Sequence, residues 1–273
     1  MSGFQVQLAN SIDVQDIEQY VNDDRYYFEQ KLDGHRRVIE VNEGQVTGWS
    51  RKGTETDVDR NLAAVLRGIN GRWVIDGEWI DGVLYAFDLP IAPGINVQTP
   101  YSIRRRSLDL IVPKLTEKTH SIQLLPTHRT PARKVGIFRW VVANNGEGVM
   151  IKDADGPYVC GKRSNYTLKA KLIKTADVII WEVGREGKRS ASVRVYDGDT
   201  PVDVGSVALT ERQLATFNHG DVVEATFLYV SNDMRLYQPR LTKGGQVRTD
   251  KTDRECTLDQ LTGFLVNKQV NIT

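Results

Sequence analysis

Apolar residues along the chain change period several times, and each change predicts an element. Residues 11–21 space their apolar positions as a short amphipathic helix with acids in its first turn. Strand-like runs follow at 26–31, 37–41 and 45–49, the last two separated by an Asn-Glu-Gly turn. Residues 57–68 read as a helix, with Val58, Leu62, Val65, Leu66 and Ile69 on one face. Runs at 73–75 and 83–87 form a strand pair around Asp81-Gly82, a hairpin turn signal. A connection containing Pro90, Pro93 and Pro100 leads to a helix over 103–112, a strand at 121–125 and a helix over 130–143. Strands at 148–152 and 166–172 close this part of the chain.

After about residue 175 the texture turns to short β-rich pieces at 176–183, 192–196, 202–207, 221–230 and 236–238. Turns fall at Asp197-Gly198 and Lys243-Gly244-Gly245. Five short strands in about a hundred residues suit a small barrel such as an OB-fold. The expected division is therefore 1–175 and 176–273, with an α+β first part.

Composition changes this picture little: 40% of residues are hydrophobic and 26% charged, as in a soluble globular protein. Neither a secretory signal nor a membrane-length apolar run is visible. Cys160 and Cys256 lie far apart without Cys or His at metal spacing, which disfavours structural zinc and disulfides and points to a reducing cytoplasm. Net charge is only +1, so any nucleic-acid partner must be read from local runs. Residues 101–139 hold nine Lys/Arg, Arg104 and Arg105 among them, against two acids. Residues 162–174 hold five, including Lys162 and Arg163, and no acid. Such runs suit a surface that tracks a phosphate backbone.

The candidate chemistry starts at Lys31-Leu32-Asp33-Gly34-His35-Arg36. A lysine becomes a nucleophile when cations or low dielectric strip its proton. Gly34 permits a tight turn or a close backbone approach, and Arg36 can hold phosphate or ribose. Five further stretches follow in order: Ser50-Arg51-Lys52-Gly53; Asp76-Gly77-Glu78 with Tyr85-Ala86-Phe87-Asp88-Leu89; Glu147-Gly148-Val149-Met150-Ile151-Lys152; Leu168-Lys169-Ala170-Lys171; and Arg248-Thr249-Asp250-Lys251. Lys169 and Lys171, two apart in a strand, point to one face.

This ordered series, from Lys31 to Lys251, resembles the nucleotidyltransferase motifs of the ATP-dependent DNA ligase family. The resemblance implies an ATP-grasp-like adenylation domain followed by an OB-fold barrel. It implies that Lys31 attacks the α-phosphorus of ATP to give lysyl–AMP, and that Lys169 and Lys171 neutralise the α-phosphate. Glu147 and Glu78 are the implied ligands of Mg²⁺ or Mn²⁺, Glu78 alternatively meeting the ribose. Phe87 would stack on adenine and Glu29 would meet the adenine edge. Arg36 and Arg51 would grip ribose and later the 5′-phosphate of a nick, and Lys152 belongs to the same ATP-binding set. Arg248, Asp250 and Lys251 would orient the departing pyrophosphate as the second domain closes. Arg36, Arg51, Arg104, Arg105, Lys162 and Arg163 are the implied DNA contacts.

The implied reaction seals 5′-phosphate/3′-hydroxyl nicks in duplex DNA, in replication, repair or recombination, by a monomeric cytoplasmic enzyme of a bacterial or phage-infected cell. Only thirty residues precede Lys31, which leaves no room for a separate N-terminal DNA-binding domain or for the extra domain of NAD-dependent ligases. Two further enzymes share the superfamily motifs, an mRNA-capping guanylyltransferase and an RNA ligase. An OB-fold single-strand-binding module is the non-enzymatic alternative.

Overall fold

In the computed structural model, which describes residues 3–184, 187–242 and 245–265, strands are the commonest regular element. In chain order these are β1 (Leu8–Ile12), α1 (Glu18–Val21), β2 (Tyr26–Gln30), β3 (His35–Asn42), β4 (Gln45–Ser50), β5 (Glu55–Thr56) and α2 (Arg60–Leu66). There follow β6 (Arg72–Ile80), β7 (Val83–Ile91), α3 (Tyr101–Thr116), β8 (Ile122–Leu124), α4 (Pro131–Ala143), β9 (Gly148–Asp153) and β10 (Arg163–Lys171). Then come β11 (Lys174–Val183), β12 (Ser190–Asp197), β13 (Thr200–Ala208), α5 (Glu211–Thr216), β14 (Val222–Phe227), β15 (Arg240–Leu241) and α6 (Asp259–Thr262). No helix among the described residues is long and apolar enough to cross a membrane.

Among the described residues, 3–141 and 148–171 form one unit, and 142–147 with 172–265 form the other. In the first unit six strands run in the order β5-β4-β3-β6-β7-β8 and four in the order β1-β10-β9-β2. Two-residue hairpins set much of this register. Glu43-Gly44 and Asp81-Gly82 both take positive φ at each position, the requirement of the turn that matches strand twist. One face of the larger sheet buries Ile39, Val41, Ile75 and Leu84 against Leu62 and Leu66 of α2 and Leu108 and Val112 of α3. Its other face packs Val38 and Val74 on Val6, with Leu8 and Trp49 beside them. These apolar layers supply the main driving force and leave the polar positions little freedom to move.

The second unit is one antiparallel sheet of order β13-β12-β11-β14-β15, with Val178, Ile180, Val193, Val195 and Val223 in its own core. The expected strand at 236–238 does not form. Leu236 makes only an isolated bridge to Val230, and the sheet gains β15 instead. Helix α5 was not legible as a period, being under two turns long. A reciprocal cap between Thr210 and Gln213 fixes it. The Lys243-Gly244-Gly245 turn lies partly outside the described residues.

Two further expectations need correction. Residues 11–21 are not one helix: residues 8–12 pair in parallel with β10, and only a 3₁₀ turn and α1 follow. Sheet pairing outweighs a helical period too short to hold itself together. Nor are Arg104 and Arg105 a DNA-facing surface. They are 1% and 2% exposed. Arg104 Nε and Nη2 donate to the two oxygens of Asp88 at 2.8 and 3.1 Å. Arg105 donates to Asp109, Glu29 and the Leu125 carbonyl. Lys134, from the same basic run, is also buried and donates to the carbonyls of Tyr20, Val21 and Asp23. The spacing of α3 turns these arginines inward while Ile103 and Leu110 face solvent.

Arg104→Ala is therefore expected to strand the buried Asp88 carboxylate and cost about 3–5 kcal/mol of stability in urea unfolding. Arg163→Ala, on an exposed residue, is expected to change stability little.

Candidate active site

Strand register brings the candidate residues of the first unit onto one face. Glu29 on β2 pairs with Met150 on β9, and Met150 with Lys169 on β10. One row along, the Lys31 amide donates to Gly148 O at 2.9 Å, and Gly148 pairs with Lys171. One row the other way, Tyr27 pairs with Lys152 and Lys152 with Thr167. Because side chains alternate across a strand, Lys31, Glu29, Lys152, Lys169 and Lys171 all belong to this face. Two glycines permit the arrangement. A Cβ on Gly34 would come within 2.5 Å of the Trp79 carbonyl oxygen, so the loop after Lys31 can lie against β6 only without a side chain. Gly148 sits at φ +148°, and a Cβ there would reach 2.0 Å from Ala170 O.

Electrostatics of this face are strongly positive. Burial pushes the Lys169 ammonium below its ordinary pKa, and the charges of Lys171, Arg163, Lys31 and Arg51 push it further in the same direction. The sequence-expected residues Lys31, Lys171, Arg51 and Arg163 are thus all within electrostatic reach of Lys169. Arg51, Lys162 and Arg163 are solvent-exposed, as a surface contact would require.

Around this cluster, buried acids hold further cations in place. The Glu29 carboxylate is fully buried. Its Oε1 accepts from Tyr101 Oη at 2.5 Å, Thr127 Oγ1 at 2.8 Å and Arg105 Nη1 at 3.2 Å. Its Oε2 lies 2.8 Å from Lys152 Nζ. Lys152 in turn donates to the Phe87 carbonyl at 3.1 Å and stands 4.5 Å from the Phe87 ring centroid. Burial lowers the Lys152 pKa, while Glu29 and Asp88 oppose the shift. Burial and the Glu29 charge raise Tyr101 well above its ordinary value, so its hydroxyl stays a donor.

Arg36 forms a bidentate pair with Asp76, both contacts at 2.6 Å, and its guanidinium lies 4.7 Å from the Phe87 centroid. Tyr158 Oη donates to Asp76 Oδ2 at 2.6 Å. Burial disfavours the Arg36 charge, but Asp76 more than offsets it and the pKa rises. Glu78 pairs across the sheet with Arg36. Phe87 is therefore a half-buried ring between two cations and not a residue of the apolar core.

Glu147, the other expected metal ligand, is buried and its carbonyl accepts from the Leu172 amide. In the second unit Arg248, Asp250 and Lys251 form a cluster with Asp177. Among the described residues no three His, Cys, Asp or Glu gather as a metal site. An open pocket on the first unit, lined partly by Arg37, Asp57, Arg60 and Trp79, contains none of the expected residues.

Sequence reasoning missed Tyr101, Thr127, Tyr158, Asp76 and Asp88 as partners. Asp76 and Asp88 stood inside the motifs it used. Tyr101, Thr127 and Tyr158 reach their partners from 72, 98 and 82 residues away, and no local pattern marks them.

Residues 78–171 match the family model of the ATP dependent DNA ligase domain. A DNA ligase of Nanoarchaeum equitans is 35% identical over 136 residues, which is 45% of this chain and 24% of that protein. The chain spans about a quarter of the length of the first curated relatives it matches. Among solved structures, a Lig E DNA ligase described as binding DNA with a minimal scaffold superposes with a TM-score of 0.65 at 19% identity. That superposition covers 89% of this chain and 99% of the other. The ligase domain of LigD from M. tuberculosis superposes with a TM-score of 0.52 at 23% identity, covering 93% and 98%. At these identities the likeness is one of fold.

The depressed Lys169 pKa has a definite sign in stability. The unfolded chain binds more protons than the folded one between the lowered value and about 10.4, so the penalty is full at neutral pH and fades as pH rises through that window. Lys169→Met is expected to unfold at higher urea than the unsubstituted chain at pH 7, with the gap narrowing toward pH 10. A gap independent of pH contradicts this.

Proposed function

We propose that this chain, whose residues 78–171 match the family model of the ATP dependent DNA ligase domain, is an ATP-dependent DNA ligase that seals nicks in duplex DNA and acts as a monomer. The observation that carries the reading is that Lys31, Lys169 and Lys171 share one sheet face with Lys152, which stands 4.5 Å from the Phe87 ring, and that Arg51 and Arg163 lie within electrostatic reach of Lys169. Residues 1–175 would be the adenylation domain and 176–273 the OB-fold domain.

In the first step Lys31 Nζ attacks the α-phosphorus of ATP. A P–N bond forms, the bond to the bridging oxygen breaks, pyrophosphate leaves with the electron pair, and one amine proton passes to solvent. Neighbouring cations meet the charge on the phosphate oxygens. Phe87 stacks on adenine. The Glu29 carboxylate accepts from the exocyclic amine through Oε2, since Oε1 already takes three donors. Lys152 holds Glu29, and Arg36, braced by Asp76, meets the ribose. Arg248, Asp250 and Lys251 assist the leaving pyrophosphate.

AMP then passes to the 5′-phosphate of the nick, and the 3′-hydroxyl displaces it. Exposed Arg51, Lys162 and Arg163 hold the DNA backbone, which makes binding salt-sensitive. Glu78 and Glu147 would each suit a hard divalent cation such as Mg²⁺ or Mn²⁺, which needs only one or two carboxylates beside substrate phosphates and water. When bound, that cation supplies charge neutralisation at the phosphates.

The test is sealing of a labelled nicked duplex with Mg²⁺ and ATP, alongside adduct formation from α-labelled ATP or GTP. The chain is expected to seal the nick and to take label from ATP, and Lys31→Ala to do neither. Label from GTP alone would point to a capping enzyme, and no label with bound AMP first removed would sink the enzyme reading. Phe87→Ala is expected to raise the KM for ATP about ten- to hundredfold, the scale of losing a stacked base.

A further inference from the structure

In the second unit two cations and one enclosed carboxylate meet at a fixed point. Asp177 on β11 stands opposite Glu224 on β14, an arrangement of like charges that destabilises a strand pair unless a cation intervenes. Arg248 intervenes. Its Nη1 lies 3.2 Å from Asp177 Oδ1 and 3.9 Å from Glu224 Oε1, while Nε and Nη2 donate to Asp250 at 2.9 and 2.8 Å. Lys251 Nζ donates to the other oxygen of Asp177.

The Asp177 backbone is clamped from both sides by one side chain. Its amide donates to Gln260 Oε1 at 3.0 Å, and Gln260 Nε2 donates to its carbonyl at 2.9 Å. The Arg248 backbone is tied in turn, its amide donating to Val222 O at 2.7 Å. The carboxylate side chain is 11% exposed, whereas Arg248 and Lys251 keep 32% and 34% of theirs open. Asp177 thus contacts both cations, while Asp250 holds the Nε/Nη2 edge of Arg248 and about a third of each cationic side chain stays open.

We propose that Asp177 is a positioning residue that aims Arg248 and Lys251 as a paired clamp for the pyrophosphate leaving group. The inference rests on the nucleotidyl-transfer reading above. Two long cations side by side repel and splay. A shared carboxylate between them cancels the repulsion and removes the rotamer freedom that anion binding would otherwise have to restrict. The Asp177 contact also raises the Lys251 pKa, which keeps the ammonium charged.

Pyrophosphate leaves in only one step of the reaction, and this separates positioning from mere support of the fold. The full chain is compared in two assays: covalent adduct formation from ATP, and sealing of a nicked duplex that already carries a 5′-adenylate, which releases AMP and no pyrophosphate. Asp177→Asn is expected to slow the first about ten- to hundredfold, the scale of losing a charge-assisted contact, and to leave the second within about twofold. Lys251→Gln is expected to show the same split, and Asp177→Glu to recover part of the first activity. Unchanged or faster adduct formation in Asp177→Asn overturns the proposal, as does an equal loss in both assays. Should Asp177→Asn fail to fold, Asp177→Glu decides: a loss confined to the first assay supports the proposal and an equal loss overturns it. An unsubstituted chain that forms no adduct at all refutes the underlying reading itself, before any variant is compared.

Discussion

Three carboxylates inside the first unit, Glu29, Asp76 and Asp88, are buried, and each must be matched by a cation. Charge taken out of water without a partner costs several kcal/mol, so the fold has little choice in where the matching groups go. Asp76 and Asp88 stand opposite one another across β6 and β7, which doubles the constraint. Arg36 neutralises the first and Arg104 the second, each through two contacts. Arg105 and Lys152 do the same for Glu29. Such pairs add little net stability compared with apolar packing, but they tolerate no rearrangement. They lock α3, β2, β3, β6, β7 and β9 into one geometry and thereby fix where Phe87, Arg36 and Lys152 stand relative to one another.

That rigidity matters for the proposed chemistry, because phosphoryl transfer asks for positioning and charge more than for covalent assistance from the protein. The face bearing Lys31, Lys169 and Lys171 is held by backbone pairing, and the residues that would hold the base and ribose by buried ion pairs. Neither arrangement depends on a long loop.

Much of this was legible in the chain. Hairpin turns at Glu43-Gly44 and Asp81-Gly82 announce themselves through the glycine at the second position, which takes positive φ without strain. That Lys169 and Lys171 share one face follows from strand alternation alone. Arg104 and Arg105 illustrate the limit. A basic run reads the same whether its guanidinium groups face water or buried acids, and only the rotation of α3 separates the two. Tyr101, Thr127 and Tyr158 were invisible for a related reason, since a hydrogen bond closed across 72 to 98 residues leaves no local trace. Residues 8–12 show tertiary pairing overriding a weak helical period.

The central claim is that the first unit builds one nucleophile, the Lys31 amine, inside a cluster of cations. Its most direct test is peptide mapping by mass spectrometry after incubation of the intact chain with ATP and Mg²⁺, at neutral to alkaline pH to preserve an acid-labile P–N bond. The account predicts a single adenylyl group on the peptide containing Lys31, removed by added pyrophosphate. Adenylylation at Lys169, Lys171 or Lys152 instead, or none on a chain first freed of bound AMP, would contradict it.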